Sequence, residues 1–223
     1  MVKKDISDTQ IIKTAFKILS INGTAESLSI RKIAAELDIS VSTFYWHFAN
    51  KQALLQAMAD DVMAEVLIEP STEAWDVQIK AIFMAIYQTY LKYPYAAELM
   101  ILTVPATKIR LRLINQLIQI LLDAGFAPDK SSLVIESIDH FITGLFADIA
   151  NEVRLKNCAL TSQDNYMREL VGQMQSIAQE NHYDAFLSTF DQHQHVQLAS
   201  EPKFMLGLDI FLAGLKQQLP HHN

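Results

Sequence analysis

Apolar residues recur at helical spacing along almost the whole chain, and nowhere do they alternate as a strand requires. Ile11, Ile12, Ala15, Ile18 and Leu19 fall on one face of a first helix that Asn22 and Gly23 should stop. Ile33, Ala34 and Leu37 then form a narrow stripe on a short second helix, with Ser29 placed to cap it. Asp38 stands where the chain must turn, and Ile39 can plug the corner. Ser40 is placed to cap a third helix running to about His47, on which Phe44 and Trp46 are the expected apolar anchors. Asn50 should cap a fourth helix, with Lys51 in its first turn, that reaches about Leu67 before a linker at 69–72 containing the helix breaker Pro70.

The remaining pattern is also helical. Helices are expected at 75–92, 95–102, 107–124 with Gly125 as its stop, 129 to about 156, 163–181 and 203–219. The polar stretch 182–202 reads as loop that can hold one short helical piece. The fold class is therefore all-α. A three-helix head at 1–50 and a connecting helix at 51–69 precede a larger body at 70–223. The helices centred on Phe141 and Leu208 are apolar on nearly all sides, so each must be covered on more than one side. They are the expected dimer helices, with Phe141, Gly144, Leu145, Gly207, Phe211 and Gly214 at the contact.

The second and third helices with their tight turn have the form of a helix-turn-helix, in which the second helix of the pair lies in the DNA major groove. Short or polar-tipped side chains cluster there. Arg31, Ser40, Val41, Ser42, Thr43, Tyr45, His47 and Lys51 are the expected contacts to base edges and phosphates. Spacing alone also fits a surface helical hairpin that meets no nucleic acid.

Charge sharpens the division. The whole chain carries −7, but residues 1–51 hold seven Lys or Arg against five Asp or Glu. The rest holds 11 basic and 20 acidic residues. A mildly basic head on an acidic body suits a protein that touches DNA at one end. Charged residues are only 19% of the chain, which fits surface covered by a partner subunit. Cys158 is the only cysteine, so no intrachain disulfide can form. With no signal-peptide pattern and no uninterrupted apolar span, a cytoplasmic location is expected.

Residues 29–58 resemble the N-terminal domain of the tetracycline repressor family of transcriptional regulators. The likeness is strongest at Thr43-Phe-Tyr-Trp-His47, Asn50-Lys51 and Ala53-Leu54-Leu55. The run from Phe204 to Leu219 resembles that family's last helix, and Asn115-Gln116-Leu117, Ala124-Gly125-Phe126 and His140-Phe141 with Gly144 keep similar order between. One departure is Asp38, where the family usually has Gly.

The resemblance implies a homodimeric repressor on a pseudo-palindromic operator, released by a small-molecule effector. It also implies a ligand site at Leu67, Ile82, Ile86, Met100, Thr103, Val104, Gln116 and His140, with Pro105 and Asp148 nearby. Several positions that are polar in the tetracycline repressor are apolar here. Leu67 and Met100 stand for His, Ile82 for Asn and Val104 for Arg. The expected effector is therefore apolar and metal-independent, and no cofactor is expected. No phosphate loop, nucleophile elbow or paired-carboxylate signature marks an enzyme. A helical small-molecule-binding or enzymatic protein whose head no longer binds DNA is the alternative.

Overall fold

The computed structural model describes residues 6–22, 24–66, 71–161, 166–195 and 201–218. The first four helices are α1 (Asp8–Asn22), α2 (Ile30–Leu37), α3 (Val41–His47) and α4 (Lys51–Met63). The body adds α5 (Trp75–Lys92), α6 (Ala96–Ile101), α7 (Lys108–Asp123), α8 (Pro128–Thr161), α9 (Tyr166–Glu180), α10 (Asp184–His195) and α11 (Glu201–Lys216). No strand occurs among the described residues.

The head is built by its caps. Ser29 Oγ accepts from the Lys32 amide at 3.2 Å, Ser40 Oγ from the Thr43 amide at 3.0 Å, and Asn50 Oδ1 from the Ala53 amide at 2.8 Å. Between α2 and α3, Asp38 adopts φ 55° and ψ 47°. Its amide donates to Ala35 O and that of Ile39 to Ala34 O, which satisfies two carbonyls at the helix end. Gly125, at φ 93°, closes α7 with the same pair of bonds, from its own amide to Leu122 O and from Phe126 to Leu121 O. His182, at φ 56°, closes α9 likewise. That turn releases the chain into α10, a twelve-residue helix where the sequence pattern gave mostly loop. Neither Gly nor a clear apolar stripe marks the boundary, so the pattern hides it.

Connecting helix α4 is shorter than expected, ending at Met63 with a turn at 64–65, and Leu67 lies outside the described residues. It packs on α1 at one side and on α5, α6 and α7 at the other. Leu54, Leu55, Met58, Ala59, Val62 and Met63 are all buried, so one core runs continuously from head to body. Aromatic contacts reinforce the junction: Phe16 of α1 stacks on Tyr95, with centroids 5.5 Å apart. At the far side α11 lies antiparallel to α5. Phe204 stacks on Tyr87 at 4.6 Å, and Lys80–Asp209 and Lys216–Asp76 pairs span the two helices at 2.7 and 2.6 Å.

One expected anchor is reversed. Phe44 is fully buried, but Trp46 is 87% exposed, and Phe48 supplies the second buried ring, 5.8 Å from Phe44. Residues two apart on a helix point to different sides, so Phe44 and Trp46 cannot share one buried face. Phe44→Ala should therefore lower the unfolding free energy by about 3–5 kcal/mol. Trp46→Ala should change it by less than about 0.5 kcal/mol. Urea denaturation of the two variants measures both, and equal losses would contradict the packing described.

Candidate nucleic-acid interface and ligand cavity

The exposed side of α3 carries a hydroxyl cluster and aromatic rings. Ser40 Oγ lies 2.7 Å from Ser42 Oγ and 2.8 Å from Thr43 Oγ1, so the three hydroxyls hold one another in place. Val41, Tyr45 and Trp46 project outward beside them. Arg31 is exposed on α2, and Lys51 opens α4. Of the expected contact residues, His47 is set apart. It is half-buried and its Nδ1 lies 2.6 Å from Asp8 Oδ1 on α1, which ties α3 to α1. Trp46 joins the outward set instead. Its exposure was hidden in the sequence by its size and apolarity, which suggest core.

A cavity of about 480 Å³ lies in the body, a volume suited to a drug-sized ligand. Its wall is assembled by helical spacing. α7 contributes Arg110, Leu113, Ile114, Leu117 and Ile118, and α8 contributes Ser132, Ile135, Glu136, Asp139, His140 and Thr143. Phe83, Ile86 and Tyr90 come from α5, Met100 and Ile101 from α6, Met63 from α4, and Thr103 and Pro105 from the segment between α6 and α7.

Of the ligand-site expectations, Ile86, Met100, Thr103 and His140 are brought together here. Ile82, Val104 and Gln116 are not on the wall. Ile82 is packed in the core, and the Val104 side chain is exposed while its backbone serves as a hydrogen-bonding post. Gln116 lies between wall residues Leu113 and Leu117 in sequence, at an angle that turns it from the cavity.

Sequence reasoning passed over the most polar part of the wall. Arg110 is buried, and its Nη1 donates to Thr103 Oγ1 at 2.8 Å and Val104 O at 3.1 Å. Thr143 Oγ1 is buried beside the Tyr90 hydroxyl and makes no well-formed hydrogen bond among the described residues. Burial pushes the Tyr90 hydroxyl far above the usual tyrosine range, so it stays protonated. Burial also raises the Asp139 carboxyl, against the opposing charges of His140 and Arg110. A signal for Arg110 was present: it shares the spacing of Leu113, Leu117 and Leu121, so it had to face inward.

The cavity is wired to the head. On α4, Gln52, Gln56 and Asp60 are one turn apart and face the segment after α6. Gln52 Nε2 donates to Leu102 O at 2.7 Å. Gln56 exchanges bonds with Val104, donating to its carbonyl at 2.6 Å and accepting from its amide at 3.3 Å. Asp60 Oδ1 accepts from Thr107 Oγ1 at 2.8 Å. A separate strap joins α6 to the head, where both Glu98 oxygens accept from the Ala25 amide at 3.0 Å. The Lys92–Glu65 pair at 2.6 Å, with Tyr93 Oη also donating to Glu65, holds the end of α4 to that of α5 and keeps the Glu65 carboxyl below its usual range.

The tetracycline repressor holds a drug–magnesium complex, whereas the expectation for this chain is a metal-independent effector. Under the resemblance Met100 offers a thioether in place of a metal-binding His, and magnesium prefers oxygen ligands. Among the described residues no three His, Cys, Asp or Glu side chains gather where a metal could sit, and no helix is long and apolar enough to cross a membrane.

On helices α8 and α11, Gly144 and Gly214 face open space, and Leu206 and Ile210 are 65% and 64% exposed. Gly207 is used differently: the Phe141 ring of the same chain packs against it so closely that a side chain there would clash.

Comparisons with known proteins agree with this layout. The chain is 29% identical to the class E tetracycline repressor of Escherichia coli over 142 residues, 62% of this chain. The matched stretch covers 66% of that repressor, just under two thirds of its length. In fold it is similar to ActR of Streptomyces coelicolor solved with actinorhodin, with a TM-score of 0.76 at 21% identity, covering 97% of this chain and all of that one. BioQ solved with its double-stranded DNA operator has a TM-score of 0.61 at 26% identity, covering 67% of this chain and 89% of that one. The model of bacterial regulatory proteins of the tetR family matches residues 11–58, and that of the tetracycline repressor-like C-terminal domain matches residues 69–219. With both models in register on one polypeptide, the chain belongs to the TetR family of bacterial transcriptional regulators.

Proposed function

We propose that this protein is a homodimeric repressor that holds operator DNA through α3 and lets go when a small, largely apolar, metal-independent ligand enters the body cavity. The observation that carries the reading is the ladder of Gln52, Gln56 and Asp60, because it joins the cavity wall to the helix on which the head rides. A ligand that moves Thr103 and Pro105 pulls on the backbone that this ladder grips. Two arrangements of the paired heads, one spaced to fit DNA and one splayed, then differ in ligand affinity, which is the requirement for coupling DNA release to binding. The relatives support it: one is a tetracycline repressor by name, one was solved on operator DNA, and one with a small molecule.

Within this reading Thr43, Tyr45 and Trp46 face base edges, while Ser40, Ser42, Arg31 and Lys51 meet backbone phosphates. His47 acts through Asp8, holding α3 on α1. The open faces of Gly144 and Gly214, with Leu206 and Ile210, meet the same faces of a second copy in a four-helix contact.

A gel-shift with DNA flanking the protein's own gene should give a specific complex. Thr43→Ala or Tyr45→Ala should weaken it by about 1–3 kcal/mol per lost base contact. Lys51→Ala should weaken all sequences alike and flatten the salt dependence. Unchanged affinity in all three variants would remove α3 as the reader. Sedimentation should give a dimer, and Gly144→Leu should yield a folded monomer, since a side chain there meets nothing in its own protomer. A wild-type monomer, or a dimer untouched by Gly144→Leu, would sink the contact. Tetracycline with magnesium should bind no better than tetracycline alone, and a strong magnesium dependence by calorimetry would reverse the metal-independent reading.

A further inference from the structure

The cavity wall buries a cation with most of its donors unused. We propose that the cavity takes an acidic amphiphile, an apolar body ending in a carboxylate or phenolate, and that Arg110 and Thr143 hold its head. The biological consequence rests on the ligand-regulator reading above, whereas the site rests on the geometry of the wall.

Arg110 is only 7% exposed. Both of its hydrogen bonds leave from Nη1, to the neutral acceptors Thr103 Oγ1 and Val104 O. Among the described residues no carboxylate lies within ion-pair distance of it, Asp60 and Asp139 attracting it only through space, and its Nε and Nη2 make no hydrogen bond. A guanidinium has five donors in a planar fork and cannot shed its charge by deprotonation. A buried charge without a counter-ion in direct contact is costly, and an acid bound across the fork relieves that cost.

A second observation points the same way. The Thr143 hydroxyl, on a side chain more than nine-tenths buried, lines the same cavity beside the Tyr90 hydroxyl and makes no well-formed hydrogen bond among the described residues. The protonated Tyr90 hydroxyl lines it too, next to Thr143, so the two hydroxyls stand together on the wall. Apolar Phe83, Ile86 and Leu117 complete the surroundings that an aliphatic or aromatic body would fill.

Glu136 and Asp139 raise the rival choice of an amine. Glu136 is exposed at the edge of the wall and can keep its water, whereas Arg110 cannot. The neutralisation that a ligand supplies is therefore worth most at Arg110. Burial raises the Asp139 carboxyl, which weakens its hold on an amine.

The test uses three ligands of one chain length, decanoate, methyl decanoate and decylamine, titrated calorimetrically into the full chain below their micelle concentrations. Decanoate should bind about tenfold or more tighter than the ester, the lower range of a hydrogen bond to a charged group, and the amine should be weakest. Arg110→Met should shrink the acid–ester gap to less than about threefold while ester binding persists. Thr143→Val should weaken decanoate and leave the ester unchanged. The wild-type series needs no variant, so misfolding of Arg110→Met leaves the head-group comparison intact. Equal binding of acid and ester, preference for the amine, or no binding by any of the three overturns the proposal. A gel-shift with and without decanoate separates the two readings. Decanoate that binds without releasing DNA keeps the site and removes the regulator mechanism. DNA binding with no amphiphile bound removes the site and leaves the head's role standing.

Discussion

The ladder on α4 is the constraint on which the rest depends. Three side chains one turn apart bond to the backbone or side chains of a segment that has no helix of its own. Without them the Leu102 carbonyl would lose its side-chain donor, and the segment would lose its ties to α4 and be held only by local bonds and by Arg110. Its path decides where Thr103 and Pro105 stand, and Thr103 in turn receives Arg110. A polar contact between one helix and one loop thus sets the cavity wall and its charge at once. Amide side chains suit the task because each donates and accepts, as Gln56 does with Val104.

The same economy appears at helix ends. Three different residues, Asp38, Gly125 and His182, take the left-handed conformation and close a helix with paired bonds to its last carbonyls. Only Gly does this without a steric cost, and Asp is among the residues that bear it best. The turn between α2 and α3 therefore keeps its shape without glycine, because the backbone bonds of Asp38 and Ile39 and the cap at Ser40 all demand it.

Much of this was legible in the chain. Ser29, Ser40 and Asn50 cap the helices that their side chains announced, and α5 spans the residues its pattern marked. What stayed hidden has physical reasons. Trp46 is large and apolar, and only its angle to Phe44 turns it outward. The stretch giving α10 is polar and lacks Gly, so neither periodicity nor a stop signal outlines it. In the cavity, Ile86, Met100, Thr103 and His140 were reached through resemblance. Arg110, Tyr90, Asp139 and Thr143 were not, because relatives' contacts direct attention to their own positions. The apolar spacing of α7 held the missing clue for Arg110.

The two tryptophans occupy opposite environments. Trp46 stands in solvent on the head, while Trp75 is half-buried at the start of α5, edge-on to Phe126 with centroids 5.3 Å apart. Indole emission shifts to longer wavelength in water and is quenched by solutes that reach it. The molecule therefore carries two separable optical reporters without any label. Acrylamide should quench the red component, which follows the head, far more than the blue component, which follows the body.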